Sequence, residues 1–374
     1  MSCTVPFTLD HNRMLIDGEI QRTDGSWRQA RFWIDTGNPD FFISGPLARD
    51  LGLDLSDANE ETQALEVAAP SGVRIGGLPL DFEGVHSMVM FRPRWLFTTM
   101  HIDANLPATV LMQHHVIFDY PRREFTLAAP GSPPMRGERV PAHVHPETGI
   151  VQIDATLEGD SLSFALDNGA SYSFASGDWI ASLLEQHPDW PSMTGAIGCA
   201  NIWGWWPGEE SWPVVRVPEL QWGSVTLTRI GIAGLPRMFP GGLAVDTWYS
   251  QKSARPVDGF LGPNAFGAFR IEIDYAGEAV AFEKGEATPA NDLDLVGLTL
   301  RPQPDGGFAV LGTRGVEGIE PGDRLLRIGG LETTGATMGT VVDGLRGRPG
   351  ELRRVVLERD GERIEVDAEV KRHL

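Results

Sequence analysis

The stretch "RFWIDTGNPDFFIS" (residues 31–44) carries a bulky apolar run, Phe32-Trp33-Ile34, straight into Asp35 and then Thr36-Gly37. A second apolar run, Phe41-Phe42-Ile43, follows after a few polar and turn-forming residues. The pattern predicts a buried strand that delivers an aspartate into a turn. A carboxylate at such a place is costly unless it is hydrogen-bonded or put to chemical use. Asp-Thr-Gly is also ordinary turn chemistry, so its meaning depends on whether the chain holds a partner.

It does. "FWIDTGNPDFFIS" (32–44) and "FALDNGASYSFAS" (164–176) both read apolar-apolar, Asp, polar, Gly, four residues, then Phe, apolar, Ser. Each follows a hairpin-like alternation, "MLIDGEIQRTDGSWRQARFWI" before Asp35 and "IVQIDATLEGDSLSFAL" before Asp167. A second matched pair comes later: "VIFDYPRREFTLAAP" (116–130) and "IEIDYAGEAVAFEK" (271–284) share a strand, Asp-Tyr, a turn and a closing strand. Two blocks with the same landmarks in the same order indicate a duplicated β-rich unit.

The rest of the chain bounds what such a unit can be. Its 374 residues, 41% hydrophobic and 22% charged, suffice for two or three globular domains. The 44 glycines and 27 prolines punctuate short apolar runs, as β-structure with many turns requires. No apolar run is long enough to span a membrane, and the first 20 residues lack a signal peptide's basic start and apolar stretch. The chain therefore reads as soluble, cytoplasmic by default. Two cysteines, Cys3 and Cys199, provide no disulfide framework. Of the net charge of −20, residues 301–374 carry 12 basic and 13 acidic side chains, against 19 and 38 in the first 300. Such a surface repels phosphate backbones and excludes nucleic acid as a partner.

These residues resemble an aspartic protease of the retroviral type with two lobes in tandem, similar to bacterial aspartyl-protease family proteins that carry a C-terminal PDZ domain. In such lobes a strand ends in Asp-Thr/Ser-Gly, and an apolar-Leu-Gly segment later precedes the Asp-Tyr strand. Lobe two has the latter as "GFLGPNAFGAFRIEIDY" (259–275), whereas lobe one, with "ATVLMQHHVIFDY" (108–120), reads as having lost it. The resemblance implies a mainly β fold: retropepsin-like barrel lobes at residues 1–134 and 135–290 in a pepsin-like bilobal arrangement, then a PDZ domain at 291–374. It implies an Asp35/Asp167 dyad supported by Thr36, Gly37, Asn168 and Gly169, acting on a peptide or protein substrate with no cofactor and no metal. Two close carboxylates share one proton, so one stays ionised to take a proton from water while the other polarises the scissile carbonyl. Asn168 stands where the family carries a hydroxyl that crosses between the loops, so a dyad held loosely is expected. A catalytically silent peptide-binding protein on the same scaffold is the alternative.

Five of the eleven tryptophans fall in "NIWGWWPGEESWPVVRVPELQW" (201–222), where family lobes place a hairpin flap. That stretch is read either as a flap lining substrate subsites or as tryptophans packing their own hairpin. His114-His115 and His143-Val144-His145 straddle a Pro/Gly linker with no carboxylate or cysteine to complete a metal set, and are expected to be solvated. After the polar linker "KGEATPANDLDL" (284–295), the segment "PGDRLLRIGG" (321–330), the helical "ATMGTVVDGLRGRPG" (336–350) and a hairpin turning at Asp360-Gly361 resemble a bacterial-type PDZ domain. "VGLT" (296–299) matches its carboxylate loop, so Gly297 and Leu298 are the expected binders of a peptide C-terminus.

Overall fold

The computed structural model describes residues 2–59, 62–91, 99–238, 245–285 and 291–374, so 286–290 in the expected linker lie outside the described residues. The opening stretch ends an antiparallel hairpin, Arg13–Gln21 with Trp27–Asp35. Its turn is set by Asp24, which accepts from the Ser26 amide at 2.8 Å, and by Gly25 at φ 85°. Towards its end the second strand buries Phe32, Trp33 and Ile34 on both faces. The strand Ala104–Pro107 runs parallel beside it, with Pro107 opposite Asp35, and is flanked in turn by Phe41–Ser44. Ser44 accepts from the Leu47 amide to cap the helix Gly45–Leu51, and Gly52, at φ 75°, stops it.

The same path recurs in lobe two. Val151–Leu157 and Asp160–Leu166 form the hairpin, and Gly259–Leu261 runs parallel beside Phe164–Leu166. Ser173–Ser176 flanks it and leads into the helix Gly177–Gln186. This comparison corrects one expectation: lobe one has not lost the Leu-Gly element. Its counterpart to Leu261-Gly262 is Leu106-Pro107, and a four-residue helix follows each, Pro263–Phe266 and Ala108–Leu111. Both Pro107 and Gly262 are extended, so the path itself does not demand glycine. Gly262 is needed only because a side chain there would strike the backbone of Tyr172.

The two Asp-Tyr hairpins build a six-stranded sheet that joins the lobes, in the order Cys3–Pro6, Glu124–Ala128, His115–Asp119, Phe269–Asp274, Ala279–Lys284, Glu138–Pro141. At its centre Asp119 lies opposite Arg270, four residues before Asp274, and Asp274 lies opposite His115, four residues before Asp119. That register is what a twofold relation between equivalent strands produces. His115 is accordingly not a solvated linker residue. It is buried in this sheet with Nε2 2.8 Å from Glu272, a buried carboxylate that also accepts from Arg270 and from the Arg136 amide.

Residues 298–369 form a further five-stranded path, Leu298–Pro302, Phe308–Thr313, Arg324–Ile328, Leu352–Arg359 and Glu362–Glu369, with the helix Met338–Leu345. The last hairpin turns at Asp360 and Gly361, both at positive φ, as expected. One core cluster runs through both lobes, and a second unites lobe two with this C-terminal unit. Among the described residues no helix is long and apolar enough to cross a membrane, and no group of three or more His, Cys, Asp or Glu is disposed to hold a metal ion.

Candidate active site

Strand pairing brings the two Asp loops face to face. A methyl group built on Gly37 would overlap the Asp167 carboxyl, and one on Gly169 would overlap Asp35 Oδ1. Each carboxyl therefore sits against the glycine of the opposite loop, an approach that any side chain at those positions would block. The polypeptide also feeds each carboxyl from its own loop. Asp167 Oδ1 accepts from the amides of Gly169 (2.9 Å) and Ala170 (3.0 Å), whereas Asp35 Oδ1 accepts from that of Gly37 at 3.2 Å.

Thr36 and Asn168 lock the loops together. Thr36 Oγ1 lies 2.9 Å from the Leu166 carbonyl and 3.0 Å from Asn168 Oδ1, two acceptors for its one proton, and it accepts from the Asn168 amide at 3.1 Å. Asn168 Oδ1 also accepts from the Thr36 amide at 3.1 Å. The asparagine thus supplies the acceptor half of a cross-loop lock and is not loosely seated there. What it leaves over is Nδ2, which is buried without a hydrogen-bond partner among the described residues. The hydroxyl of buried Tyr120 is its neighbour, outside hydrogen-bond geometry yet near enough for the Asn168 amide to oppose the upward push that burial gives the phenol pKa.

Both carboxyls are buried, Asp35 3% and Asp167 6% exposed. Burial, then the neighbouring charge of Asp167, pushes the Asp35 pKa well above the carboxylate range. Burial raises Asp167 to about 6, opposed by the Ala170 amide, Arg13 and the Gly169 amide. Such a pair retains one proton where ordinary carboxylates have none.

Several side chains around the two carboxyls gave no signal in the sequence. Trp33 Nε1 (3.1 Å) and Arg13 Nε (2.7 Å) both donate to the Gly169 carbonyl. Tyr249, from the helix Val245–Ser250, packs its ring on Phe260 (4.2 Å between centroids), and its phenol is held protonated by burial and then by the charges of Asp167 and Asp35. Beyond it, Lys252 Nζ reaches Asp40 of lobe one at 2.9 Å, tying this lobe-two segment across the boundary. Tyr249, Phe174, Val257, Phe260, Asp178 and Arg237 line a cavity of about 160 Å³. Neither aspartate lines it.

Only the second half of the tryptophan stretch belongs to a hairpin. A 3₁₀ turn, Gly198–Ala200, precedes the stretch and another, Glu209–Ser211, lies within it, and the hairpin strand begins only at Pro213. Trp203 packs on Trp206 (4.8 Å) and Phe174 (5.6 Å), and Trp206 on Trp212 (5.8 Å), in the core shared with the C-terminal unit. Glu209 is buried beneath them, accepting from Asn201 Nδ2 (2.6 Å) and the Trp206 amide (3.1 Å), and burial pushes its pKa to about 7.

Gly297 and Leu298 do not form an open cradle for a peptide end. The Leu298 amide donates to the Val296 carbonyl, the Val296 amide to that of Leu345, and the Leu298 side chain is buried. The free edge of Leu298–Pro302 is occupied by residues 196–204 of lobe two. Asn201 Oδ1 accepts from the Leu300 amide (2.8 Å), and Thr299 Oγ1 donates to the Ala196 carbonyl (2.7 Å). The same segment packs against the helix Met338–Leu345, whose neighbour Arg346 donates to Cys199 Sγ at 3.0 Å.

No protein-family profile and no curated protein matches the chain. Among solved structures, the crystal structure of aspartic proteinase from Irpex lacteus matches 78% of this chain and 99% of its own, at 12% sequence identity and a TM-score of 0.41.

Proposed function

We propose that the chain is an aspartic-type endopeptidase built from two tandem lobes, 1–134 and 135–290, with a PDZ-like unit at 291–374. The observation that carries this reading is the reciprocal seating of each carboxyl on the opposite loop's glycine. Asp167 accepts two backbone amides and Asp35 one, with Asn105 as a further donor to Asp35 and Arg13 favouring ionisation of both; burial and the Asp167 charge push Asp35 the further up, so Asp35 keeps the proton. In the reaction Asp167 takes a proton from a water whose oxygen bonds to the scissile carbonyl carbon, while Asp35 gives its proton to the carbonyl oxygen. The resulting diol collapses as the C–N bond breaks, a proton passes to the leaving nitrogen, and the dyad returns to its one-proton state.

The test is cleavage of an unfolded polypeptide by the full chain. Asp35→Asn and Asp167→Asn each abolish it while leaving the melting transition cooperative. Full activity in either variant would remove the dyad. If the wild-type chain binds the unfolded polypeptide but never cleaves it, the silent peptide-binding reading takes its place, and the orphaned Asn168 Nδ2 is the feature that favours it.

For the C-terminal unit, the reading that the hydrogen bonds support is a clamp that grips the chain's own segment 196–204, with the strand edge and helix of a PDZ groove.

A further inference from the structure

Arg13 is 2% exposed, and its hydrogen bonds go to neutral groups: the Gly169 carbonyl, the Ile202 carbonyl (2.6 Å) and His11 Nδ1 (3.0 Å). The imidazole gives it no counter-charge. His11 Nε2 donates to the Gly198 carbonyl (3.1 Å), which leaves Nδ1 as an acceptor. Burial, reinforced by Arg13, lowers the pKa of His11 to about 3, so it stays neutral. A buried guanidinium without a compensating anion is strongly disfavoured. The titratable and charged groups that face this one are His11 and Asp10 on its own turn, Asp35 at the end of its own hairpin, Cys199 from segment 196–204 with Arg346 behind it, and Asp167 across the lobe boundary.

We infer that Arg13 is the built-in counter-charge of the dyad: one guanidinium on the far side of the Asp-Asn-Gly loop makes the singly ionised carboxyl pair the electrically balanced state of the buried site. This rests on the peptidase reading for its catalytic meaning, though not for its electrostatics. Arg13 touches no reacting atom. It positions the Gly169 carbonyl through its Nε, and it selects the protonation state through its charge. Its own pKa, lowered by burial to about 10 and supported by Asp167, keeps it charged across the working range.

The experiment follows the carboxyl ¹³C signals of labelled aspartates in the full chain as pH is varied, with Asp35→Asn and Asp167→Asn to assign them. Arg13→Gln keeps a donor for the Gly169 carbonyl but removes the charge. The first ionisation of the pair then moves up by about one pH unit or more, and the acid limb of the cleavage profile moves with it; Arg13→Lys restores both. A pair that titrates as in the wild type in folded Arg13→Gln overturns the inference. If Arg13→Gln does not fold, the double variant with Asp167→Asn decides: regained folding supports charge balance, and no regain means that Arg13 only bridges carbonyls. A chain without protease activity in which Arg13→Gln still moves the carboxyl titration would remove the peptidase reading and leave this one standing.

Discussion

Asn168 shows how one substitution can be half-accommodated. Its Oδ1 and backbone amide meet Thr36 in three hydrogen bonds, yet its Nδ2 is buried and unmet. An unmet buried donor costs about 1–3 kcal/mol, whereas a satisfied neutral bond contributes about 1 kcal/mol. Threonine at this position keeps an oxygen for the Thr36 amide and discards the orphaned nitrogen. Asn168→Thr is therefore expected to raise the melting temperature by a few degrees and to raise turnover, about tenfold for each 1.4 kcal/mol recovered in the transition state. Calorimetry and steady-state cleavage check this; a fall in both would mean that the amide is the better lock. The cross-loop meeting of these two residues was legible in the sequence through the resemblance to two-lobed aspartic proteases, onto which the two loops align residue by residue. Arg13 was not. An arginine at the head of an apolar run reads as a strand-end charge, and its partners lie 156 and 189 residues away.

At the scale of elements, the duplicated landmarks predicted hairpin, Asp loop, flanking strand and Asp-Tyr strand in both lobes, because each is a local pattern of apolar period and turn residue. The Leu-Gly counterpart in lobe one escaped because proline can follow the same extended path, so the motif's glycine was a matter of crowding in lobe two only. The tryptophan stretch escaped for a different reason. Its tryptophans pack on one another and on Phe174 within a core that lobe two shares with the C-terminal unit, and no spacing within residues 201–222 encodes that shared core. The occupied strand edge yields a prediction. In the intact chain, peptides with a free apolar C-terminus should bind no better than their amidated forms in a fluorescence-anisotropy titration. Asn201→Ala, which removes the acceptor of the Leu300 amide, should loosen the segment and lower the melting temperature by about the value of one to two hydrogen bonds. Selective, tight binding of free C-termini by the wild-type chain would show that the carboxylate loop is open after all.

Across the whole molecule, the two Asp loops meet at one buried pair of carboxyls, with Arg13 joining their surroundings to the segment 196–204. Asp35, Asp167 and Glu209 all have pKa values raised by burial above their ordinary values of 3.8, 3.8 and 4.5. Between about pH 4 and 7 these three groups hold more protons in the folded chain than in the unfolded one, so their contribution to stability falls as pH rises through that range, opposed by His11, which is neutral in the folded chain and protonated in the unfolded one below about pH 6.5. Asp167→Asn removes one of these penalties, since its side-chain oxygen can still accept the Gly169 and Ala170 amides. The variant should melt above the wild type at pH 7, with the gap closing below about pH 4. The same proton count places the activity optimum near neutrality rather than at the acid pH expected of unburied carboxylates, because only above about pH 6 is Asp167 ionised while Asp35 keeps its proton. The most direct test of a shared proton is the ¹³C titration of the Asp35 carboxyl with and without its partner's charge. If the two form one dyad, Asp167→Asn lowers the pH at which Asp35 ionises. An Asp35 that ionises at the same pH in both proteins would contradict the dyad.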